Sequence, residues 1–185
     1  MRFIIEHLEK HFDKKEVLKD IDFTFEEGKI YGLLGRNGAG KTTLFNCINR
    51  DIKADGGTFF LEEDGTRREV EPEDRDKLMK DYSHGMKNKM QMLVNIIAEP
   101  KILLLDEPLT SLDVVVAEEM KQLLRSLKDG RITIFSTHIM DLALDLCDVI
   151  VLLSHGELEV VEKSNLDSRE FKEKIIAALR EEDHV

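Results

Sequence analysis

Two short stretches carry most of the chemistry that this sequence can do. The first is Gly35-Arg36-Asn37-Gly38-Ala39-Gly40-Lys41-Thr42, which fits the spacing G-x-x-x-x-G-K-[ST]. Glycines at these places let the backbone curl so that successive N–H groups converge on phosphate oxygens, and a following helix adds the positive end of its dipole. Lys41 then reaches the β- and γ-phosphates, and Thr42 offers a hydroxyl to Mg²⁺. The second stretch is Ile102-Leu103-Leu104-Leu105-Asp106-Glu107, an apolar run that ends in two carboxylates. At the C-terminal end of a buried strand, Asp106 can hold Mg²⁺ through its water shell or through Thr42, while Glu107 orients and polarises an attacking water. Adjacent carboxylates beside a triphosphate repel it unless a cation intervenes, so the pair implies Mg²⁺.

These residues need a strand before the loop, a helix after it and a covered strand under the acids. Residues 29–35 read as a short apolar strand ending at glycine. Residues 41–50 read as a helix with Leu44, Phe45 and Ile48 on one face. Residues 101–107 and 131–138 read as strands covered on both faces, residues 114–128 as an amphipathic helix stopped by Gly130, and residues 139–146 as a helix. Before them, alternating apolar residues over the first 30 positions suggest an antiparallel β-layer. Residues 56–71 form a hairpin turning at Asp64-Gly65, and 149–162 a strand pair turning at His155-Gly156. Residues 71–81 are polar and acidic, a loop or helix start, and residues 86–98 are helical. Asp167 and Glu170 resemble a capping box opening a last helix over 168–182, with Phe171, Ile175, Ile176 and Leu179 on its inner face. The fold class is α/β, a mostly parallel P-loop sheet flanked by helices plus an antiparallel β-layer.

Length and composition bound the rest. The 185 residues are enough for one domain with a sizeable core; 42% are hydrophobic and 35% charged, as in a folded globular protein. A formal net charge of −11 disfavours non-specific nucleic-acid binding. Cys47 and Cys147 fit no metal spacing and read as reduced core residues, which points to the cytosol. The N-terminus is too charged for a signal peptide, and no apolar run approaches the length of a membrane span.

Three more pieces follow in order: Tyr82-Ser83-His84-Gly85-Met86 before a helix, Ser111-Leu112-Asp113 after the acidic strand, and Ser136-Thr137-His138 at a strand end. Taken with the loop and the acids, this order resembles the ATP-binding subunits of ABC transporters over about residues 2–162. Each piece is weak alone; five in sequence are specific. The resemblance implies one ATP-binding domain over 1–185, with the β-layer mainly at 1–30 and 57–70 and the nucleotide-binding core at 29–56 and 82–162. It implies ATP and Mg²⁺ as cofactors, with Gly35, Asn37, Gly38, Ala39, Gly40, Lys41, Thr42 and Thr43 around the phosphates and Thr42 and Asp106 at the metal. Lys41, Glu107 and His138 take the catalytic roles, His138 as the switch that contacts the γ-phosphate. Phe12, 23 residues before Gly35, matches the aromatic that stacks on adenine, its alternative being a core strand residue. Ser83 and Gly85 match the signature that caps a γ-phosphate held by another subunit, and Asp113 matches the loop that crosses between subunits. The implied partners are a second ATPase subunit, identical or paired, and a transmembrane subunit that would hold the chain at the inner face of the cell membrane.

Two features depart from the family pattern. His84 and Met86 replace the commoner glycine and glutamine, a form similar to bacterial exporters of peptides, lipids or drugs; Asn88 stands where such variants often carry glutamine. Ser83 follows Lys41 by only 42 positions. The strand ending in a metal-contacting glutamine and the helical subdomain that the family carries there have no counterpart. That leaves the apolar strand at 102–105 as an open sheet edge, which natural proteins avoid. The expectation is therefore a longer biological chain, and in this shorter form nucleotide binding with impaired hydrolysis and coupling. Two other functions compete: a soluble ABC-type ATPase acting on ribosomes or DNA, disfavoured by the acidic balance, and a non-hydrolysing regulator, disfavoured by Glu107 and His138.

Overall fold

The computed structural model describes residues 1–71, 74, 79–82, 99–109, 112–161, 173, 175 and 176. Two sheets form the body. The first is antiparallel with strand order β2-β1-β4-β5, from β1 (Arg2–Phe12), β2 (Lys15–Glu26), β4 (Gly56–Glu63) and β5 (Thr66–Glu69). The second has the order β10-β9-β3-β8-β7-β6. It comprises β3 (Lys29–Leu34), β6 (Met79–Tyr82), β7 (Ile102–Asp106), β8 (Ile132–Thr137), β9 (Val149–Ser154) and β10 (Glu157–Val161). All its pairings are parallel except the β9–β10 hairpin.

The continuous apolar strands are explained by cover on both faces. Alternate residues of β3, β7, β8 and β9 (among them Leu33, Leu104, Ile134 and Val151) pack with the antiparallel layer and with α1 (Lys41–Ile48). Their neighbours Leu34, Leu105, Phe135 and Leu152 pack against α2 (Val114–Ser126) and α3 (Met140–Leu146) on the other side. Phe3 sits between Phe25 and Phe59 at ring separations of 6.2 and 6.0 Å, which ties three strands of the layer together. Each such buried phenyl contributes about 1.5–3 kcal/mol. Cys47 and Cys147 are both buried thiols.

The hairpins turn where the sequence places them: Asp64 and Gly65 both have positive φ, as do His155 and Gly156, the signature of the tight turns that match strand twist. One expectation is overturned. The edge of β7 is not open, because β6 pairs with it in parallel from Met79↔Ile102 to Tyr82↔Leu105. The backbone of a segment read as loop or helix start supplies the missing ladder, and it contains no glutamine. The helix read over 86–98 and most of that over 168–182, including Phe171 and Leu179, lie outside the described residues; Glu173, Ile175 and Ile176 are helical, and Ile175 is buried against the α2–α3 side of the core. No helix among the described residues is long and apolar enough to cross a membrane.

Candidate nucleotide-binding site

The C-terminal ends of β3, β7 and β8 lie side by side, so the parallel topology delivers the three motifs to one edge of the sheet. The chain leaves β3 at Leu34, loops through residues 35–40 and enters α1 at Lys41. Two glycines in the loop are sterically required. A Cβ on Gly35 would stand 2.9 Å from the Leu153 carbonyl oxygen, and Gly40 has φ +105° with a Cβ position 3.0 Å from Val17.

Lys41 is buried, and its Nζ donates to the carbonyls of Gly35 (2.7 Å) and Arg36 (3.0 Å). It also lies 3.7 Å from Glu107 Oε1. Burial pushes the ammonium's pKa down, and the nearby Glu107 and Asp106 carboxylates partly restore it. Thr42 Oγ1 donates to Asp106 Oδ2 at 2.8 Å. The other Asp106 oxygen, Oδ1, accepts from the hydroxyl of Ser136, which in turn accepts the Glu107 N–H at 3.0 Å. Glu107 holds a left-handed backbone, φ +50°, unusual for a residue with a side chain and a mark of stored strain at functional sites. His138 Nδ1 lies 2.9 Å from Glu107 Oε1.

A cleft of about 510 Å³ opens onto this edge, lined by Phe12, Lys15, Val17, Asn37, Gly38, Gly40, Lys41, Thr42, Thr43, Asp106 and Glu107. Phe12 is half exposed at the end of β1, with Lys10 Nζ 5.2 Å from its ring centre, rather than in the core. Ala39 is half-buried in the loop and lines a second recess of about 200 Å³ beside the cleft, with Lys15, Lys19, Arg36 and His155. Asp113 is exposed and serves as the N-cap of α2, accepting the N–H groups of Val115 (3.1 Å) and Val116 (3.0 Å). Ser83 and Gly85 lie outside the described residues. The structure therefore gathers Phe12, the phosphate loop, Asp106, Glu107 and His138, and places Asp113 at the start of α2. Sequence reasoning missed Lys15 and Val17, and it named Ser136 only as the start of the Ser136-Thr137-His138 piece, without a role; the ladder sets it opposite Asp106.

The oxygen donors fit Mg²⁺. A carboxylate and a hydroxyl are hard ligands, already in contact with each other, at the mouth of a cleft whose one buried cation among the described lining residues is Lys41.

Comparison with known proteins agrees with this geometry. The family model described as ABC transporter matches residues 18–79. An uncharacterized ABC transporter ATP-binding protein of Methanocaldococcus jannaschii is 33% identical, over 83% of this chain and 74% of its own length. The sulfate/thiosulfate import ATP-binding protein CysA of Vibrio cholerae is 27% identical over 88% of this chain and 58% of its own. The lantibiotic transport ATP-binding protein SrtF of Streptococcus pyogenes is 26% identical over 91% and 93%. The first alignment runs for 194 positions, yet 83% of 185 residues is about 154. Some 40 interior positions of that relative thus have no counterpart here, in line with the short distance between Lys41 and Ser83.

Proposed function

Because this chain belongs to the ATP-binding proteins of ABC transporters, whose chemistry is ATP hydrolysis coupled to transport, we propose that its cleft is the catalytic half-site of a transporter motor. The observation that carries this reading is the junction at the sheet edge: Thr42 on Asp106, and Glu107 between Lys41 and His138. In this reading the backbone N–H groups of residues 37–43 and the Lys41 ammonium hold the triphosphate, and Phe12 stacks on adenine. Thr42 and Asp106 would hold Mg²⁺, which when bound neutralises charge between the triphosphate and the acidic pair. Glu107 accepts a proton from the attacking water, and His138 keeps that carboxylate oriented.

One subunit has half a site. Ser83, Gly85 and Asp113 act across a two-fold contact on nucleotide held by a second copy or a paired ATPase subunit, and a transmembrane subunit keeps the assembly at the inner face of the membrane. Export of a peptide, lipid or drug-like substrate is the finer proposal. Its supports are the Ser83-His84-Gly85-Met86-Lys87 form and similarity to a protein named for lantibiotic transport; similarity to one named for sulfate/thiosulfate import sets the competing direction.

The test is sedimentation of the Glu107→Gln chain with and without ATP and Mg²⁺. ATP-dependent dimers that dissolve when Ser83 is also replaced by Arg support the shared site. Tight ATP binding by a monomer, unaffected by Ser83→Arg, overturns it. Co-purification of a polytopic membrane protein, rather than ribosomes or DNA, supports the transporter assignment over a soluble ATPase.

A further inference from the structure

We propose that Ser136 is a positioning residue for both acids of the site, an inference that rests on the reading of Asp106 as a metal ligand. Ser136 is fully buried at the end of β8 and stands opposite Asp106 in the parallel ladder. A serine hydroxyl donates one hydrogen bond and accepts others, and this one uses both capacities on the acidic pair. It donates to Asp106 Oδ1 and accepts the Glu107 backbone N–H at 3.0 Å.

The donated bond fixes the Asp106 carboxylate about its side-chain torsions, so that Oδ2 stays on Thr42 Oγ1. Without it the carboxylate is less firmly held, and its metal-facing oxygen spends less time where Thr42 and a cation need it. The accepted bond acts on the next residue. It holds the Glu107 amide in the left-handed conformation, φ +50°, that turns the side chain toward Lys41 and His138. An apolar residue of similar size at 136 would fill the same space and leave a buried carboxylate oxygen and an N–H without this partner. One hydroxyl thus couples metal binding at Asp106 to the aim of Glu107.

The experiment measures ATP affinity calorimetrically, with excess MgCl₂ and with EDTA, for the parent chain, Ser136→Ala and Ser136→Cys. Cysteine keeps the size but is a weak donor. The expected result is loss of roughly tenfold or more of the Mg²⁺-dependent gain in affinity for Ser136→Ala, an intermediate loss for Ser136→Cys, and equal affinities in EDTA. If Ser136→Ala does not fold, the Ser136→Cys chain decides alone. A Ser136→Cys chain as Mg²⁺-responsive as the parent means that the side chain only fills space, and the inference fails. A parent that binds ATP equally well with and without Mg²⁺ overturns the metal reading of Asp106 and this inference with it. A Mg²⁺-responsive parent matched by Ser136→Ala overturns the inference alone.

Discussion

His138 approaches Glu107 through Nδ1 at 2.9 Å from Oε1, the same carboxylate oxygen that lies 3.7 Å from Lys41 Nζ. Glu107 is therefore held between two nitrogens from different parts of the chain, one at the start of α1 and one after β8. In the proposed mechanism a carboxylate so held is oriented before water arrives, a form of preorganisation that lowers barriers rather than improving ground-state binding.

The first prediction follows from that division. Replacing His138 by alanine removes the orienting contact but leaves the phosphate loop and Phe12 untouched. We expect kcat to fall by roughly 100-fold or more, the scale of a lost acid–base contribution, with KM for ATP changed little. Steady-state ATPase assays on matched preparations check this. A rise in KM with kcat intact would place His138 in binding instead.

Asp113 caps a helix and is proposed to act at a subunit contact, and substitutions can separate the two. Its carboxylate caps α2 through Val115 and Val116. Asp113→Ala should cost about 1 kcal/mol, a drop of about 2–4 °C in melting temperature for a domain of this size. Asn caps as well as Asp does, so Asp113→Asn should melt like the parent. If the charge at 113 also acts across a subunit contact, Asp113→Asn should still weaken ATP-dependent dimers. Thermal melts and sedimentation read the two effects independently, and an Asp113→Ala chain with unaltered melting would discard the cap.

Much of this site was legible because its parts are local in sequence: loop glycines before Lys41, carboxylates at the end of an apolar run, a histidine closing another. What was not legible depends on contacts between distant residues. Ser136 opens the Ser136-Thr137-His138 piece with no role of its own in the sequence, and only the ladder that sets it opposite Asp106, 30 positions away, reveals its bonds. The left-handed backbone of Glu107 has no sequence signal, since nothing about a glutamate favours positive φ. Met79–Tyr82 lacks the apolar alternation of a strand, and pairs because β7 offers an otherwise unsatisfied edge. The hairpin turns were readable for the opposite reason: Asp64-Gly65 and His155-Gly156 state their backbone geometry in their residue types.

Close packing beneath the P-loop strand gives a stability prediction. A Cβ at Gly32 would fall 2.4 Å from Cys147 Sγ and 3.5 Å from Ala143 Cβ. Gly32→Ala should therefore destabilise by about 1–3 kcal/mol through overpacking. Cys147→Ala removes the offending sulfur, and the double substitution should recover most of the Gly32→Ala loss, a positive coupling expected only of touching residues. Urea unfolding of the four chains measures the cycle. Additive losses would mean that β3 and the end of α3 do not meet as described.

Burial of Lys41 makes a prediction about pH. Its pKa is lowered from the ordinary 10.5 in the folded chain, first by desolvation. Between the lowered value and 10.5 the unfolded chain binds more protons than the folded one, so this group makes unfolding free energy rise with pH across that window. Cys47 works against it: burial raises its thiol from 9.0 to about 11, so the folded chain retains a proton there and stability falls as pH rises between those values. The Lys41 contribution is isolated by comparing parent with Lys41→Met, which keeps an apolar stem without a titrating group. The difference in unfolding free energy, parent minus variant, should climb with pH through the alkaline window and flatten above 10.5. Denaturant titrations at a series of alkaline pH values measure it. A flat difference would mean that the Lys41 ammonium is solvated rather than buried, and a falling one that the acids beside it outweigh its desolvation.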